Sequence, residues 1–174
     1  VEQDFKKAIK FYKLAADQDD EDALNNIGVA YYYGQGVTRD WGKAFNYFKL
    51  AADQGQYFAQ NNLGNSYRDA EGVDKDYDKA FKYYKLSADQ GYDDAQNNLG
   101  LAYYYGQGVT QDYEEALKYF KLAADQGHDI AQNNAGLSYF YGNTNKTETD
   151  EILPNFDKIF SKTSMVLLLL NIFL

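Results

Sequence analysis

Residues 95–127 read AQNNLGLAYYYGQGVTQDYEEALKYFKLAADQG, and closely similar words occur in the residues before them. The period is 36 residues, and its first marker is an alanine at Ala23, Ala59, Ala95 and Ala131. An aspartate keeps the same spacing at Asp4, Asp40, Asp76 and Asp112. A period of about 20–50 residues is typical of repeat arrays, in which one unit is too small to bury its own apolar face.

Each unit predicts two helices joined by short loops. In residues 21–33, apolar side chains recur at the spacing of one helix face. In residues 40–54, Asp40 is a natural N-cap because its carboxylate can accept from the first free backbone N–H groups. Short loops favour antiparallel neighbours, and no strand alternation is sustained. The sequence therefore predicts an all-α fold of stacked antiparallel helix pairs with a 36-residue repeat.

Three recurring glycine positions fit this fold. Gly28 recurs in mid-helix, where a missing Cβ would let the neighbouring helix approach closely. Gly55, Gly91 and Gly127 are interpreted as left-handed residues that end a helix. A Gly-x-Gly turn precedes the second helix of a unit, a pattern that can also form a phosphate cradle. Because the turn recurs, accepts Ala70 and follows no dinucleotide-type strand, we interpret it as a structural turn.

The repeat sets the predicted domain boundaries. The array occupies residues 1–142, with a half unit at 4–22, full units at 23–58, 59–94 and 95–130, and a half unit at 131–142. Residues 143–174 form a polar linker and an apolar segment. The apolar run 165–174 is about ten residues, short of the roughly 20 that a membrane span needs. It fits a capping helix, a buried segment of a missing neighbour, or translation out of the natural frame.

Composition excludes several classes of partner and site. The net charge is −9, which argues against nucleic acid and anionic membrane because both need clustered Lys and Arg. Without cysteine there is no disulfide framework, and a single histidine, His128, leaves no multi-histidine metal site. No cofactor is indicated. The lack of cysteine favours a cytoplasmic location, and a start at Val1 in mid-unit suggests a piece of a longer protein.

Catalysis has little support in the sequence. A hydrolase needs a base and a nucleophile that stand apart from the repeat, and the candidates are His128, Ser66, Ser138 and scattered carboxylates. His128 occupies the slot of Gln56 and Tyr92, which we interpret as a variable surface position. The protein is therefore predicted not to be an enzyme.

One unit carries enough recurring residues to identify a family. The pattern A-x-x-N-L-G-x-x-Y-x-x-G-x-G-V-x-x-D-x-x-x-A-x-x-Y-x-x-x-A-A-x-x-G resembles the Sel-one-like repeat, a relative of the tetratricopeptide repeat. The matching residues of this unit are Ala95, Leu99, Gly100, Tyr103, Gly106, Gly108, Val109, Asp112, Ala116, Tyr119, Ala123, Ala124 and Gly127. The resemblance covers about residues 4–142 and departs at Ala70, at Asp19 and beyond Gly142.

The resemblance implies a right-handed α/α superhelix that acts as a non-catalytic adaptor. Family members scaffold signalling complexes, membrane-associated protein degradation and contacts between bacteria and hosts. Some bacterial members carry a cysteine pair in each repeat, which this chain lacks. The implied partner is a protein or peptide, and the alternative is a passive structural spacer within a larger protein.

In the related tetratricopeptide fold, the first helix of each repeat lines the concave surface. This helix has one face that packs in the core and a second face that does not. The side chains of the second face are therefore predicted to bind the partner. The predicted site residues are Asn25, Tyr32, Tyr33, Asn61, Asn65, Arg68, Asn97, Tyr104, Tyr105, Asn133, Phe140 and Tyr141.

Asparagine is unfavourable inside helices because its amide competes for the backbone, so the recurring asparagines call for an explanation. In the Asn25 series, the amides could bind the main chain of an extended peptide or bond between adjacent repeats. For the companions Asn26, Asn62, Asn98 and Asn134 we favour bonding between repeats. Arg68 and Asp69 occupy the positions where other units carry the aromatic pairs Tyr32–Tyr33 and Tyr104–Tyr105, either as a solvated surface pair or as a charge that sets partner specificity.

Overall fold

The computed structural model describes residues 4–142, with side chains to residue 139. These residues form eight helices and no strand, which confirms the predicted all-α class. The helices are α1 (Phe5–Ala16), α2 (Glu21–Tyr33), α3 (Trp41–Asp53), α4 (Tyr57–Asp69), α5 (Tyr77–Ala88), α6 (Asp93–Tyr105), α7 (Tyr113–Asp125) and α8 (Asp129–Gly142). The linker and apolar segment at 143–174 lie outside the described residues.

The helices pack as pairs that stack on one another. Within a repeat, α2 packs on α3, α4 on α5 and α6 on α7. Between repeats, the second helix of one pair packs on the first helix of the next, as α3 does on α4 and α5 on α6. The even-numbered helices are called A helices below, and the odd-numbered ones B helices. Each pair therefore relies on its neighbours for burial, as expected of a repeat array.

In each helix pair, the core consists of small residues from both helices and one large side chain from each helix. Ile27, Leu63 and Leu99 on the A helices are at most 1% exposed. On the B helices, aromatic rings lie over the mid-helix glycines: a Cβ on Gly64 would stand 2.6 Å from the ring of Tyr84, and Phe48 and Phe120 cover Gly28 and Gly100 in the same way. The predicted reason for these glycines, close helix approach, is confirmed at these three positions, whereas a Cβ on Gly136, the fourth copy, would meet no described atom within 4 Å.

Aspartate caps begin the B helices, as the sequence predicts. Asp4 accepts from the Lys7 backbone N–H, Asp40 from Lys43 and Asp76 from Lys79, all within 3.0 Å. The same lysines form ion pairs with these carboxylates. The backbone N–H of Lys43 contributes most to lowering the pKa of Asp40, and the side chain of Lys79 contributes most at Asp76.

These caps give the stability a dependence on pH. Because the native pKa is lowered, the stabilisation is fully present above the ordinary value of 3.8 and is lost as pH falls below it. Asparagine also caps helices but does not titrate in this range. We therefore expect the double variant Asp40→Asn, Asp76→Asn to lose less stability than the parent between neutral pH and about pH 3. Urea unfolding at the two pH values measures the difference, and parallel losses would contradict the assignment.

The loops adopt the left-handed backbone that the glycines suggested. Gly55, Gly91 and Gly127 have φ of 98°, 91° and 93°. Two positions hold this conformation without glycine: Asp19, with φ 62°, and Ala70, with φ 61°, which ends α4 where Gly34 and Gly106 end α2 and α6. The repeat geometry therefore persists where the sequence departs from the pattern. In the described part of the chain, no helix has the length and apolar character required to cross a bilayer.

Candidate functional site

Asparagines of adjacent A helices are hydrogen-bonded to one another. The side-chain amide of Asn62 donates to Asn25 Oδ1 at 3.0 Å, that of Asn98 to Asn61 at 2.9 Å, and that of Asn134 to Asn97 at 3.0 Å. We call these three pairs the asparagine ladder. Bonding between repeats is thereby confirmed for Asn62, Asn98 and Asn134, and it also occupies the oxygens of the Asn25 series.

The ladder accounts for asparagine inside a helix. Asn25, Asn61 and Asn97 are only 7%, 5% and 6% exposed, and a buried amide without a partner would be destabilising. Each buried oxygen accepts from the next repeat, so the amides tie the stack together instead of competing for their own backbone. The ladder therefore stabilises the junction between consecutive repeats.

The ladder nitrogens of Asn25, Asn61 and Asn97 are not used in this pairing. None of them donates a hydrogen bond to the described part of the chain. Among residues 4–139, Glu71 Oε2 is the one side-chain nitrogen or oxygen that is both buried and unbonded. Each of the three nitrogens therefore has at least slight contact with solvent, although its residue is only 5–7% exposed, and its N–H donors are not used within the described part of the chain.

We expect the ladder to show measurable coupling. Asn61→Ala leaves the amide of Asn98 without its acceptor and should lower the free energy of unfolding by about 1–3 kcal/mol. In a double-mutant cycle with Asn98→Ala, the two losses should be less than additive by about 0.5–1.5 kcal/mol. Urea unfolding of the two single variants and the double variant measures this coupling. Strict additivity would mean that the hydrogen bond contributes nothing.

Pairs of tyrosines end two of the A helices. Tyr32 and Tyr33 meet edge to face with ring centroids 4.8 Å apart, and Tyr104 and Tyr105 do so at 5.1 Å. The outer ring of each pair is open to solvent, since Tyr33 is 67% exposed and Tyr105 46%. Tyrosines held in this way offer rigid contact area at low entropic cost.

In α4, a charged pair takes the place of the tyrosine pair. Arg68 binds Asp69 through two hydrogen bonds, Nε to Oδ1 at 2.9 Å and Nη2 to Oδ2 at 2.7 Å. Its remaining nitrogen, Nη1, lies 3.5 Å from Asn98 Oδ1. The hydrogen bond with Asp69 raises the pKa of Arg68. Arg68 thus lies beside the ladder and is 33% exposed, so it is more embedded than a freely solvated surface pair.

Asn65 has a different role from the ladder residues. Its Oδ1 accepts a hydrogen bond from the hydroxyl of Tyr84 at 2.8 Å. That hydroxyl belongs to the ring lying over Gly64, so Asn65 links the A and B helices of its own repeat. Asn133 is exposed on α8. Phe140 and Tyr141 belong to the last turn of α8, and their side chains lie outside the described residues.

Glu71 is a residue of this face that sequence reasoning missed. It follows the left-handed Ala70 in the turn where other repeats carry Gln35 and Gln107. Burial and the neighbouring carboxylate of Glu71 raise the pKa of the Tyr32 phenol to about 12. Glu71 Oε2 is buried and has no hydrogen-bond partner among the described residues. The only signal for it in the sequence was the change from Gln to Glu.

His128 is not the surface residue that the sequence suggested. Its side chain is 10% exposed. The Ala131 backbone N–H donates to its Nδ1 at 3.1 Å, and its Nε2 lies 2.9 Å from Asp94 Oδ1. Gln56, two repeats earlier, makes the equivalent two contacts, with Ala59 and Asp22. His128 therefore caps α8 and is a structural residue. Residues 4–139 hold no cluster of side chains suited to a metal ion.

Comparison with known proteins relates the array to a family. A model of the Sel1 repeat matches residues 1–20, 21–56, 58–92, 93–128 and 129–152. No curated protein matches the chain significantly. Among solved structures, c5321, a protective antigen of uropathogenic Escherichia coli with an SLR fold, is 39% identical with a TM-score of 0.74. The match covers 77% of this chain and 29% of c5321.

Two further solved structures have the same architecture. A Sel1 repeat protein from Oxalobacter formigenes is 35% identical with a TM-score of 0.76, and the match covers 82% of this chain and 58% of that one. The Helicobacter pylori cysteine rich protein B is 26% identical with a TM-score of 0.59, over 74% of this chain and 92% of that one. This chain thus spans only part of the first two relatives. The fold is an all-α repeat superhelix, and the chain belongs to the Sel1 repeat family.

Proposed function

We propose that this protein is a scaffold that binds an extended segment of a partner protein along its A helices. Sel1 repeat proteins are generally protein–protein interaction scaffolds without catalytic activity. The observation that carries the proposal for this chain is the row of unused amide nitrogens on Asn25, Asn61 and Asn97. Such donors, one in each repeat, suit the carbonyl groups of a peptide main chain.

The surroundings of the ladder supply the other parts of a binding face. Tyr33 and Tyr105 offer exposed aromatic rings for side chains of the partner. Arg68 and Asp69 place a charged pair between those two tyrosine pairs along the chain. A partner segment that places an apolar residue against each tyrosine would satisfy this arrangement. The concave position of the face, the repeat boundaries and the cytoplasmic location stay predictions.

A peptide selection with the full chain tests the proposal. Peptides are selected from a random display library, and the affinity of the best one is measured by fluorescence anisotropy. The variant Tyr33→Ala, Tyr105→Ala should weaken binding by about tenfold or more, as is common for exposed aromatic anchors. Leu50→Ala is the control, because Leu50 is 53% exposed on the B helix α3. It should leave the affinity unchanged.

A second pair of substitutions separates binding from the structural role of the ladder. Asn61→Asp and Asn97→Asp keep the oxygen that accepts from the next repeat but replace the open N–H donor by an acceptor. We expect each substitution to lower the affinity for the selected peptide by about three- to tenfold. A thermal melt checks that the array stays folded. If no selected peptide responds to the tyrosine and aspartate substitutions, the array is a passive spacer.

A further inference from the structure

Three aromatic rings form a cluster at the N-terminal ends of α4 and α6. The ring centroids of Tyr57 and Phe58 are 4.2 Å apart, those of Tyr57 and Tyr92 5.4 Å, and those of Phe58 and Tyr92 4.9 Å. Tyr57 is 37% exposed and Phe58 38%. This aromatic cluster therefore presents ring surface to solvent at the start of the A helices, whereas the tyrosine pairs described above lie at their ends.

The cluster departs from the repeat. The first turn of the other A helices holds carboxylates: Glu21 and Asp22 in α2, Asp93 and Asp94 in α6, and Asp129 in α8, whereas α4 has none. Carboxylates are favoured at a helix N-terminus by the helix dipole, so those residues have a structural reason. Half-exposed aromatic rings at the same place gain nothing from the dipole, which points to a different role.

A carboxylate of α6 lies beside the rings. Asp94 accepts from the Tyr92 hydroxyl through one oxygen and contacts His128 through the other, and its side chain is still 52% exposed. Burial raises the pKa of the Tyr92 phenol, and the charges of Asp94 and Asp93 raise it further. The local potential is therefore negative.

Elsewhere in the array, lysines of the chain itself cover tyrosine rings. Lys43 lies 5.4 Å from the ring centroid of Tyr31, and Lys79 lies 5.1 Å from that of Tyr67. Within residues 4–139, no lysine or arginine lies over Tyr57, Phe58 or Tyr92. Aromatic faces beside carboxylates attract a cation, and among residues 4–139 the basic side chain in contact with Asp94 is His128, which is charged only when protonated.

We propose that the aromatic cluster, with Asp94 beside it, is a second docking site that takes an arginine side chain of a partner protein. A guanidinium suits both features, because it stacks on aromatic rings and binds carboxylates in two-point geometry. Lysine is a poorer fit, since its ammonium is a strongly hydrated point charge. The site goes beyond the peptide-binding face, from which it differs in residues and in the chemistry of its ligand.

The test uses the ¹⁵N-labelled full chain and a short peptide of glycine, serine and arginine. A matched peptide carries citrulline, which keeps the shape of arginine without its charge, and another carries lysine. The arginine peptide should shift the amide resonances of residues 57, 58, 92 and 94, the lysine peptide should shift them less, and the citrulline peptide should leave them in place. Equal shifts with citrulline would overturn the proposal.

Variants test which groups are responsible. Tyr57→Leu and Tyr92→Leu keep apolar bulk but remove the ring, and each should weaken the arginine peptide by about two- to fivefold. Tyr92→Phe keeps the ring and should bind nearly as well as the parent. Asp94→Asn keeps an acceptor for His128. It should lower the affinity for the arginine peptide, and the remaining affinity should depend less on salt concentration. Unchanged affinity in the two leucine variants would refute the site.

The control is Tyr105→Leu, which alters an exposed ring of the peptide-binding face and should leave the arginine peptide unaffected. Loss of binding in Tyr105→Leu but not in Tyr57→Leu would assign the arginine to the other face and overturn this proposal. The two proposed sites are tested with different variants and different peptides. A negative result for one site therefore does not affect the interpretation of the result for the other. Far-UV circular dichroism confirms that each variant is folded.

Discussion

Replacing Leu99 by alanine should lower the free energy of unfolding by about 2–5 kcal/mol. Leu99 is 0% exposed and lies in the same core cluster as Leu63. Removing its side chain leaves a cavity that the surrounding helices fill only partly, because their backbones are held in place by the contacts between aromatic rings and glycines. The substitution should destabilise several repeats, since each relies on its neighbours.

Leu122→Ala provides the matched control for this expectation. It removes the same atoms from the B helix α7, where Leu122 is 43% exposed, and it should cost less than about 1 kcal/mol. Chemical denaturation of the two variants under identical conditions gives the comparison. Equal losses would show that burial in the stack does not determine the stability.

Gly108→Ala should be comparably destabilising, for a different reason. Gly108 has φ 72°, a conformation that costs a residue with a Cβ about 1–2 kcal/mol. A Cβ there would also stand 2.1 Å from the carbonyl oxygen of Tyr77, the first residue of the preceding B helix. Backbone cannot yield as a flexible side chain can, and overpacking adds about 1–3 kcal/mol. The total expected loss is about 2–5 kcal/mol.

Gly127→Ala isolates the conformational part of this effect. Gly127 has φ 93°, and a Cβ on it would meet no atom within 4 Å. This variant should therefore lose only about 1–2 kcal/mol, with no contribution from a clash. The difference between the two thermal or urea unfolding curves measures the contact between the turn and Tyr77. Indistinguishable variants would mean that the turn can move away from α5 without cost.

The helices and their pairing followed from the sequence because the repeat supplies its own internal comparison. Residues that recur every 36 positions, such as Asp40 and Gly64, have the same reason in the copies that are followed by a further helix pair: a free N–H to cap, or a ring of the next helix to accommodate. Local causes of this kind are readable from spacing. Ala70 shows the limit, since its left-handed backbone is imposed by the surrounding repeat and not by its own preference.

The ladder was only half predictable. Sequence comparison aligned Asn25 with Asn61 and treated Asn62 as a separate series, because repeats invite comparison of equivalent positions. The bonded pairs are Asn25 with Asn62 and Asn61 with Asn98, and each pair is 37 residues apart. The offset of one residue beyond the period depends on how neighbouring A helices are placed. The burial of Glu71 and His128 was not predicted for a similar reason: the burial of a loop or cap side chain depends on the adjacent repeat.

The ladder also makes the repeats interchangeable. Every full unit carries an acceptor for the unit that follows and a donor for the unit that precedes it. Exchanging units 59–94 and 95–130 would keep the amide pairs at each junction but would move Arg68 and would separate Tyr92 from Tyr57 and Phe58, which lie in the unit before. Duplication and shuffling of whole units can therefore rearrange partner-binding surfaces while the joints between units remain the same.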